Sequence, residues 1–375
     1  MSRIHVCLVS GQPIPNLIPL KMKELKPDTA ILLVSPDMKT QAERLESIIT
    51  TLGIKVRKHS IEPYDLASAR DTVMNILADL EDHEITLNVT GGTKIMAFAA
   101  FEVFREMGKP IIYVDTQDKR IQVLSPEVKN VQFKGVIKVN TYLAAYGQNI
   151  KEDHTDYKKV NDHKSAFDSL IRDMEKFANP IAIMNGYAAP LRNARTFPLQ
   201  VRIDDHHLSL PEFREVLTLF EEYGIIKKKE GKIEFPRLSD VEFVSGGWLE
   251  EYVFHVVSSL PVTDLKMSVK IKWDQARNAP VNEYDVIFTH DNRLYLVECK
   301  TKRFSGADRK EFNDELIYKL ENLRDAAGGL YGKGMLVSYR RLTDEQKRRL
   351  HANRLEYCDA ANLRNMKEII KKWME

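Results

Sequence analysis

Three charged side chains, Asp285, Glu298 and Lys300, stand among apolar neighbours in the stretch NEYDVIFTHDNRLYLVECKT, Asn282 to Thr301. Two runs rich in β-branched and aromatic residues flank a polar HDNR turn, the pattern of an antiparallel hairpin. A turn centred between Asp291 and Asn292 pairs residues whose numbers sum to 583. Asp285 then faces Glu298, and Glu283 faces Lys300. Opposed carboxylates repel, because facing Cβ atoms lie only about 5 Å apart. A divalent ion, Mg²⁺ or Mn²⁺, would supply the missing positive charge, since such hard cations take oxygen ligands. Lys300, on the same face as Glu298, would stabilise a developing phosphorane or help to activate water. Alternation turns Cys299 to the other face, as a core residue and not a nucleophile. The competing arrangement is a cross-strand ion network of Glu283 with Lys300, which leaves Asp285 and Glu298 uncompensated.

Further acidic residues precede the hairpin. In SGGWLEEYVFHVVSSL a helix begins after Gly247 and carries Glu250 and Glu251 in its first turn. Near the N-terminus, two loops have a different chemistry. SGQPIPN (Ser10 to Asn16) follows one apolar run and NVTGGTKIMA (Asn88 to Ala97) follows another. Gly91 and Gly92 allow positive φ and expose backbone N–H groups at a helix start, and Thr93 and Lys94 add a hydroxyl and a cation. The loop reads as an anion cradle; the alternative is a glycine-rich turn with an incidental lysine. It lacks the GxxxxGK[ST] spacing of a Walker A loop, and no GxGxxG follows the first strand, which weighs against a dinucleotide coenzyme.

The elements that position these loops alternate. Strand-like runs IHVCLVS, TAILLVS, KVRKHSI, ITLNVT and PIIYVD are separated by amphipathic patterns such as MKTQAERLESIITTLG and DLASARDTVMNILADLED. Such alternation predicts a parallel sheet covered on both faces, with ligands beyond the C-terminal strand ends. Ser35 and Asp115 also end strands on that edge. The 375 residues are too many for one typical domain. A net charge of +2, from 56 basic and 54 acidic residues, gives no overall steering toward nucleic acid. Cys7, Cys299 and Cys358 lie too far apart for a zinc knuckle or a disulfide framework. The absence of a signal-like or membrane-length apolar run predicts a cytoplasmic protein without a membrane span.

SGQPIPN with NVTGGTKIMA resembles the CRISPR-associated Rossmann-fold (CARF) sensor family over roughly residues 1–140. The resemblance implies a cyclic oligoadenylate ligand, cyclic tetra-adenylate in the usual case, bound at the two-fold axis of a homodimer. Gln12, Pro13 and Asn16, with Thr90, Gly91, Gly92, Thr93 and Lys94, would line that pocket. The D…ExK pattern with the preceding WLEEYV helix resembles the PD-(D/E)xK nucleases, although no proline precedes Asp285. That resemblance selects Glu250 as the helix ligand and implies Glu250, Asp285 and Glu298 as metal ligands, with Lys300 completing the catalytic set. Lys319, in FNDELIYKLENLRDAAGG, matches a lysine or glutamine frequent in the family; an ordinary exposed helical lysine is the alternative.

The expected architecture is therefore α/β throughout. A Rossmann-like parallel-sheet sensor domain occupies 1–146, a linker and a small helical, winged-helix-like connector 147–240, and a restriction-endonuclease-like α/β/α domain 241–375. Within the connector, GQNIKEDHTDYKKVND reads as linker and NPIAIMNGYAAPLRN as irregular chain. The segment LSLPEFREVLTLFEEYGIIKKKEGKIEFP reads as a helix and two short strands. Lys227, Lys228 and Lys229 there read as a solvated hairpin and not a recognition surface. Basic clusters KTKRF, YRR and KRRLHANR flank the nuclease-like core and would suit a phosphate backbone. The whole resembles CRISPR ancillary nucleases: a messenger-activated, Mn²⁺- or Mg²⁺-dependent enzyme cleaving DNA and/or RNA in antiviral defence. The alternatives are a non-catalytic, nucleic-acid-binding regulator and a ring nuclease that degrades the messenger.

Overall fold

The computed structural model describes residues 2–80, 82–194, 197–274, 281–301 and 316–375. The five N-terminal runs form β1 (Arg3–Leu8), β2 (Thr29–Val34), β3 (Lys55–Ser60), β4 (Glu84–Asn88) and β5 (Ile111–Asp115), all parallel, in the order β3-β2-β1-β4-β5. Their alternation divides the core. Cys7, Ala30 and Leu32 pack with helices Ile14–Lys21 and Lys39–Thr51 on one face. Val6, Leu8, Ile31 and Leu33 pack with helices Leu66–Ala78 and Lys94–Glu106 on the other. An antiparallel pair, β6 (Arg120–Ser125) and β7 (Lys129–Gln132), extends the sheet beyond β5. The sequence did not announce these two: KNVQ offers one apolar residue, and its burial is slight.

Two expectations for the middle of the chain are corrected. Residues 148–153 are not linker but β8 (Gln148–Asp153), the edge strand of the C-terminal sheet. Its polar sequence suits an exposed edge: Glu152 pairs with Lys270 at 2.6 Å, and Asp153 with Lys266. The stretch from Asn179 is not irregular either, because a helix runs from Met174 to Ala188 through Pro180. Phe177, Ile181, Met184 and Ala188 recur on one buried stripe, and that packing outweighs the hydrogen bond a proline removes. Helices Tyr157–Asp162 and Lys164–Arg172 precede it. The winged-helix-like order then appears: β9 (Leu199–Arg202), helix Pro211–Glu222, β10 (Lys227–Lys229) and β11 (Lys232–Phe235), with sheet order β10-β11-β9. Lys227, Lys228 and Lys229 are all exposed, and the last two pair with Glu221 and Glu234.

The C-terminal sheet holds β12 (Asp264–Trp273), β13 (Asn282–His290), β14 (Arg293–Lys300), β15 (Lys333–Ser338) and β16 (Leu355–Cys358), in the order β16-β15-β14-β13-β12-β8. Helix Trp248–Ser258 packs Trp248, Leu249 and Val253 against Val286, Tyr295, Val297 and Cys299. Helix Ile317–Gly328 packs Ile317, Leu320 and Leu323 against Ile287, Leu294 and Leu296 on the opposite face. Thr301 is the last described residue before that helix, so Lys302, Arg303 and Phe304 of KTKRF, and 312–315 of the expected helix, lie outside the described residues.

The two ends of the chain share a core. Ile14, Leu17 and Tyr142 belong to the same cluster as Leu296 and Leu320. Asn292, fully buried in the HDNR turn at φ 61°, accepts from Val136 N–H at 2.7 Å and Ile137 N–H at 2.9 Å. The Tyr142 hydroxyl donates to the Gly328 carbonyl at 3.2 Å.

Candidate functional site

The hairpin has the expected register, His290↔Arg293 through Val286↔Val297. The ladder ends there, one pair before Asp285 and Glu298. In continued register Cys299 would oppose Tyr284; instead its N–H donates to Asp285 Oδ2 at 2.7 Å. On the other side, β12 pairs through Met267↔Val286 and Val269↔Tyr284. Ser268, which falls opposite Asp285, sits at φ 49°, a strained position for a residue with a side chain. Asp285 thus lies at a break in both ladders. The expected Glu283–Lys300 pairing is not formed, because the β13–β14 ladder does not reach it; on its other side Glu283 pairs with Lys270 on β12.

Glu250, Asp285, Glu298 and Lys300 line one cleft of about 620 Å³. Lys300 Nζ lies 2.6 Å from Glu298 Oε1 and 4.0 Å from Asp285 Oδ2. Lys319 Nζ lies 3.6 Å from the same Glu298 oxygen, so the helix Ile317–Gly328 points a cation into the site. Glu250 accepts from Ser268 Oγ at 3.1 Å. Burial, then the Glu298 charge, push the Asp285 carboxyl up to about 7. Burial and the charges of Asp285 and Glu283 hold Glu250 well above the carboxylate range. Burial works against the Lys300 charge, but Glu298 and Asp285 keep its ammonium above the ordinary lysine range. Burial raises the Cys299 thiol well above its usual range, as a core residue requires.

The adjacent glutamates have opposite surroundings. Glu251 is 2% exposed and accepts from His163 Nδ1 at 2.8 Å, while His163 Nε2 is 3.2 Å from Asp240. Burial alone would suppress the imidazolium, yet Asp240 and Glu251 raise His163 to about 9. Glu251 is occupied by this buried pair of contacts, and Glu250 is the carboxylate turned toward Asp285. Neither Ser268 nor His163 carried a sequence signal, because each acts across a contact between segments remote in the chain.

The donor set tests well for a divalent ion in one respect. Three carboxylates turned into one cleft, with Glu250 and Asp285 both holding protons more tightly than usual, also suit a hard cation. In this conformation, among the described residues, no three His, Cys, Asp or Glu side chains close into a metal-binding group. Lys300 lies against Glu298 instead.

The sensor loops follow a different logic. Asn16, expected in the pocket lining, is 1% exposed: its Nδ2 donates to the Leu8 carbonyl at 2.8 Å, and its Oδ1 accepts from Asn88 at 3.1 Å. It ties β1 to β4 beneath the loops, and Pro13 is buried as well. Thr90 is half-buried and accepts from Val114 N–H at 2.8 Å. A Cβ on Gly91 would lie 2.2 Å from the Leu8 carbonyl oxygen, and Gly92 has φ 75°. Thr93 caps the helix Lys94–Glu106 through Met96 N–H, and donates to the Pro63 carbonyl at 2.5 Å. Lys94 is exposed at that helix start. Gln12 Oε1 accepts from the Tyr146 hydroxyl at 2.9 Å and from Leu330 N–H at 3.2 Å, in the turn that ends helix Ile317–Gly328.

Two family models match the chain, one at each end. The Card1 CARF domain matches residues 4–142, and the Card1-like endonuclease domain matches residues 239–375. The chain is similar to protein VC1899 from Vibrio cholerae, with TM-score 0.92 and 23% identity, covering 99% of this chain and 98% of that one. At that identity the likeness shows the fold. It is also similar to Can2 from Sulfobacillus thermosulfidooxidans, solved in complex with cyclic tetra-adenylate, with TM-score 0.79, 28% identity and coverage of 100% and 99%. A type III CRISPR defence DNA nuclease activated by cyclic oligoadenylate shares the fold at TM-score 0.57 and 17% identity, over 91% of this chain and 46% of that one. No curated protein matches. No helix among the described residues is long and apolar enough to cross a membrane. An endonuclease domain of this type implies a divalent metal. With a CARF sensor at one end and an endonuclease fold around the Glu250–Asp285–Glu298–Lys300 cleft at the other, the chain belongs to the CARF-linked, Card1-like nucleases.

Proposed function

We propose that cyclic oligoadenylate, in the form of cyclic tetra-adenylate, activates this chain as a Mg²⁺- or Mn²⁺-dependent nuclease of type III CRISPR defence. It acts in the cytoplasm on DNA and/or RNA, as a homodimer. The observation that carries the reading is the Gln12 contact. A residue of the sensor loop is bonded to the Leu330 turn, and the helix before that turn aims Lys319 at Glu298. A messenger that competes for Gln12 acts directly on an element of the nuclease site. Such a switch requires the messenger to prefer the active state. Gly91, Gly92 and the N-terminus of helix Lys94–Glu106 offer N–H groups to the ring's phosphates, and Lys94 adds charge. Tyr64, 77% exposed, and Phe98, 63% exposed, are apolar surface that a second copy would cover, which supports the dimer.

In the cleft, Glu250, Asp285 and Glu298 are the residues that would hold the divalent ion. The ion, when bound, supplies charge neutralisation at the phosphodiester and an acidified water. Ser268 orients Glu250, and the Cys299 N–H fixes Asp285. Lys300 leaves Glu298 to face the charge that develops on the phosphate oxygens, and Lys319 supports it from the opposite helix.

The test is a substrate panel of labelled single-stranded DNA, single-stranded RNA and supercoiled plasmid, incubated with Mn²⁺ or Mg²⁺ and cyclic tetra-adenylate. The reading predicts metal-dependent cleavage that disappears in both Glu298→Ala and Lys300→Ala. Cleavage that survives Glu298→Ala would exclude the assigned site. Messenger binding with no cleavage of any substrate would leave the regulator, and metal-independent loss of the ring would identify a ring nuclease.

A further inference from the structure

We propose that the connector supplies a phosphate-holding cradle to the nuclease cleft. It is formed by Asn185 and Arg192 with Thr301 at the end of β14, over the bare backbone of Gly246. This rests on the nuclease reading and assigns the connector a part in gripping substrate.

The geometry begins with the turn Phe243–Gly247, which leads into the helix bearing Glu250. Gly246 has φ 125°, which side-chain-bearing residues rarely adopt. A Cβ there would stand 3.0 Å from Thr301 Oγ1, 3.3 Å from Asn185 Nδ2 and 3.9 Å from Arg192 Nη2. Three groups able to donate hydrogen bonds converge on one small space, from two connector positions and the residue that follows β14. No carboxylate oxygen is among these three nearest atoms.

The cations of the cleft differ in how they are balanced. Lys159 pairs with Glu242, Lys270 with Glu152, and Lys300 and Lys319 with Glu298. Arg192 is held by neutral groups instead: Nε donates to Ser245 Oγ, and Nη2 donates to the Ser245 carbonyl at 2.9 Å. Among the described residues it makes no ion pair. A guanidinium pinned at one edge, with its charge uncompensated, suits a phosphate, whose oxygens match its planar fork. Arg192, Asn193 and Gly247 line the same cleft as Glu250, Asp285, Glu298 and Lys300. A nucleic acid with its scissile phosphodiester at the carboxylates would run its backbone over this cradle, and the bare Gly246 Cα permits close approach.

The experiment uses the full chain with cyclic tetra-adenylate and Mn²⁺, reading both steady-state cleavage of a labelled oligonucleotide and its binding by fluorescence anisotropy across a salt series. Arg192→Gln is expected to raise KM about tenfold with kcat within twofold. It should lower the slope of log affinity against log salt by about one, the signature of one lost phosphate contact. Arg192→Lys restores part of the affinity, and Asn185→Ala gives a smaller loss of the same kind. Mn²⁺ affinity by calorimetry and the Tm stay at parent values. Unchanged KM and salt slope in Arg192→Gln would overturn the cradle, as would a fall in Tm or Mn²⁺ affinity that accounts for the loss. A parent that binds oligonucleotide with an Arg192-dependent slope but cleaves nothing would keep the cradle and remove the nuclease reading. A parent that binds none would remove the cradle.

Discussion

The sensor loops and the nuclease cleft treat their polar groups in opposite ways. In the sensor, Asn16, Asn88, Thr90 and Thr93 spend their side chains on one another and on nearby backbone, which leaves backbone N–H groups and Lys94 for a ligand, while Gln12 is held by Tyr146 and Leu330. In the cleft, side chains are kept in conflict: Asp285 is pushed up to about 7, Glu250 stands higher than usual, and Ser268 holds a strained backbone. A binding loop can be built from satisfied groups because its ligand meets the backbone. A metal-dependent cleft keeps unbalanced charge because the ion completes it.

The contrast can be broken hardest at the carboxylates. Asp285→Asn is expected to lower cleavage about a thousandfold, the several kcal/mol that a bound metal's charge stabilisation represents. The Tm should hold or rise, since a repulsive charge is removed; a large Tm loss would contradict the picture of a strained site. Gly91→Ala comes next. Its Cβ meets the Leu8 carbonyl at 2.2 Å, so calorimetry should find messenger binding abolished and the sensor destabilised. Asn16→Ala, unlike Lys94→Ala, should behave as a fold mutant. Losing a buried amide costs about 1–3 kcal/mol of stability. Lys94→Ala should leave the Tm unchanged and weaken messenger binding about tenfold, the loss of roughly 1.4 kcal/mol.

His163, buried beside the cleft, sharpens the comparison. Asp240 and Glu251 face its two nitrogens, Arg237 and Lys159 neutralise those carboxylates from outside, and the Phe243 ring packs at 4.5 Å. Its pKa of about 9 lies above the ordinary value of 6.5, so this stabilisation is fully present below about pH 6.5 and is lost as pH rises through about 9. The full difference is about 3 kcal/mol. Thermal melts from pH 6 to 10 should show that decline in the parent and a flatter profile in His163→Gln. The smallest effect is expected from Tyr146→Phe, which removes the hydroxyl bond to Gln12 and should reduce activation a few-fold at saturating messenger.

The hairpin was legible because its register follows from a two-residue turn, although the ladder stops at Val286↔Val297, one pair short of Asp285 and Glu298. The parallel strands were legible because β1 and β2 are apolar runs set between amphipathic helices, whereas β3, KVRKHS, is polar as the sheet's edge strand. What the sequence hid was contact between remote segments. β8 reads as linker because an edge strand carries charge; Ser268 and His163 reach the Glu250–Glu251 pair from other elements. The tie that Asn16 makes between β1 and β4 was not legible, because a buried and a ligand-facing amide look alike in a motif. Arg192 had no signal at all, lying more than fifty residues before the Ser245 turn it holds.

The most direct measurement is the rate of oligonucleotide cleavage by the full chain in Mn²⁺, with and without cyclic tetra-adenylate, for the parent and Glu298→Ala side by side. The account predicts cleavage at least about a hundredfold faster with the messenger, as a differential affinity of a few kcal/mol would give, and none in Glu298→Ala. Equal rates with and without the messenger would contradict it, because the Gln12 contact would then transmit nothing to the cleft.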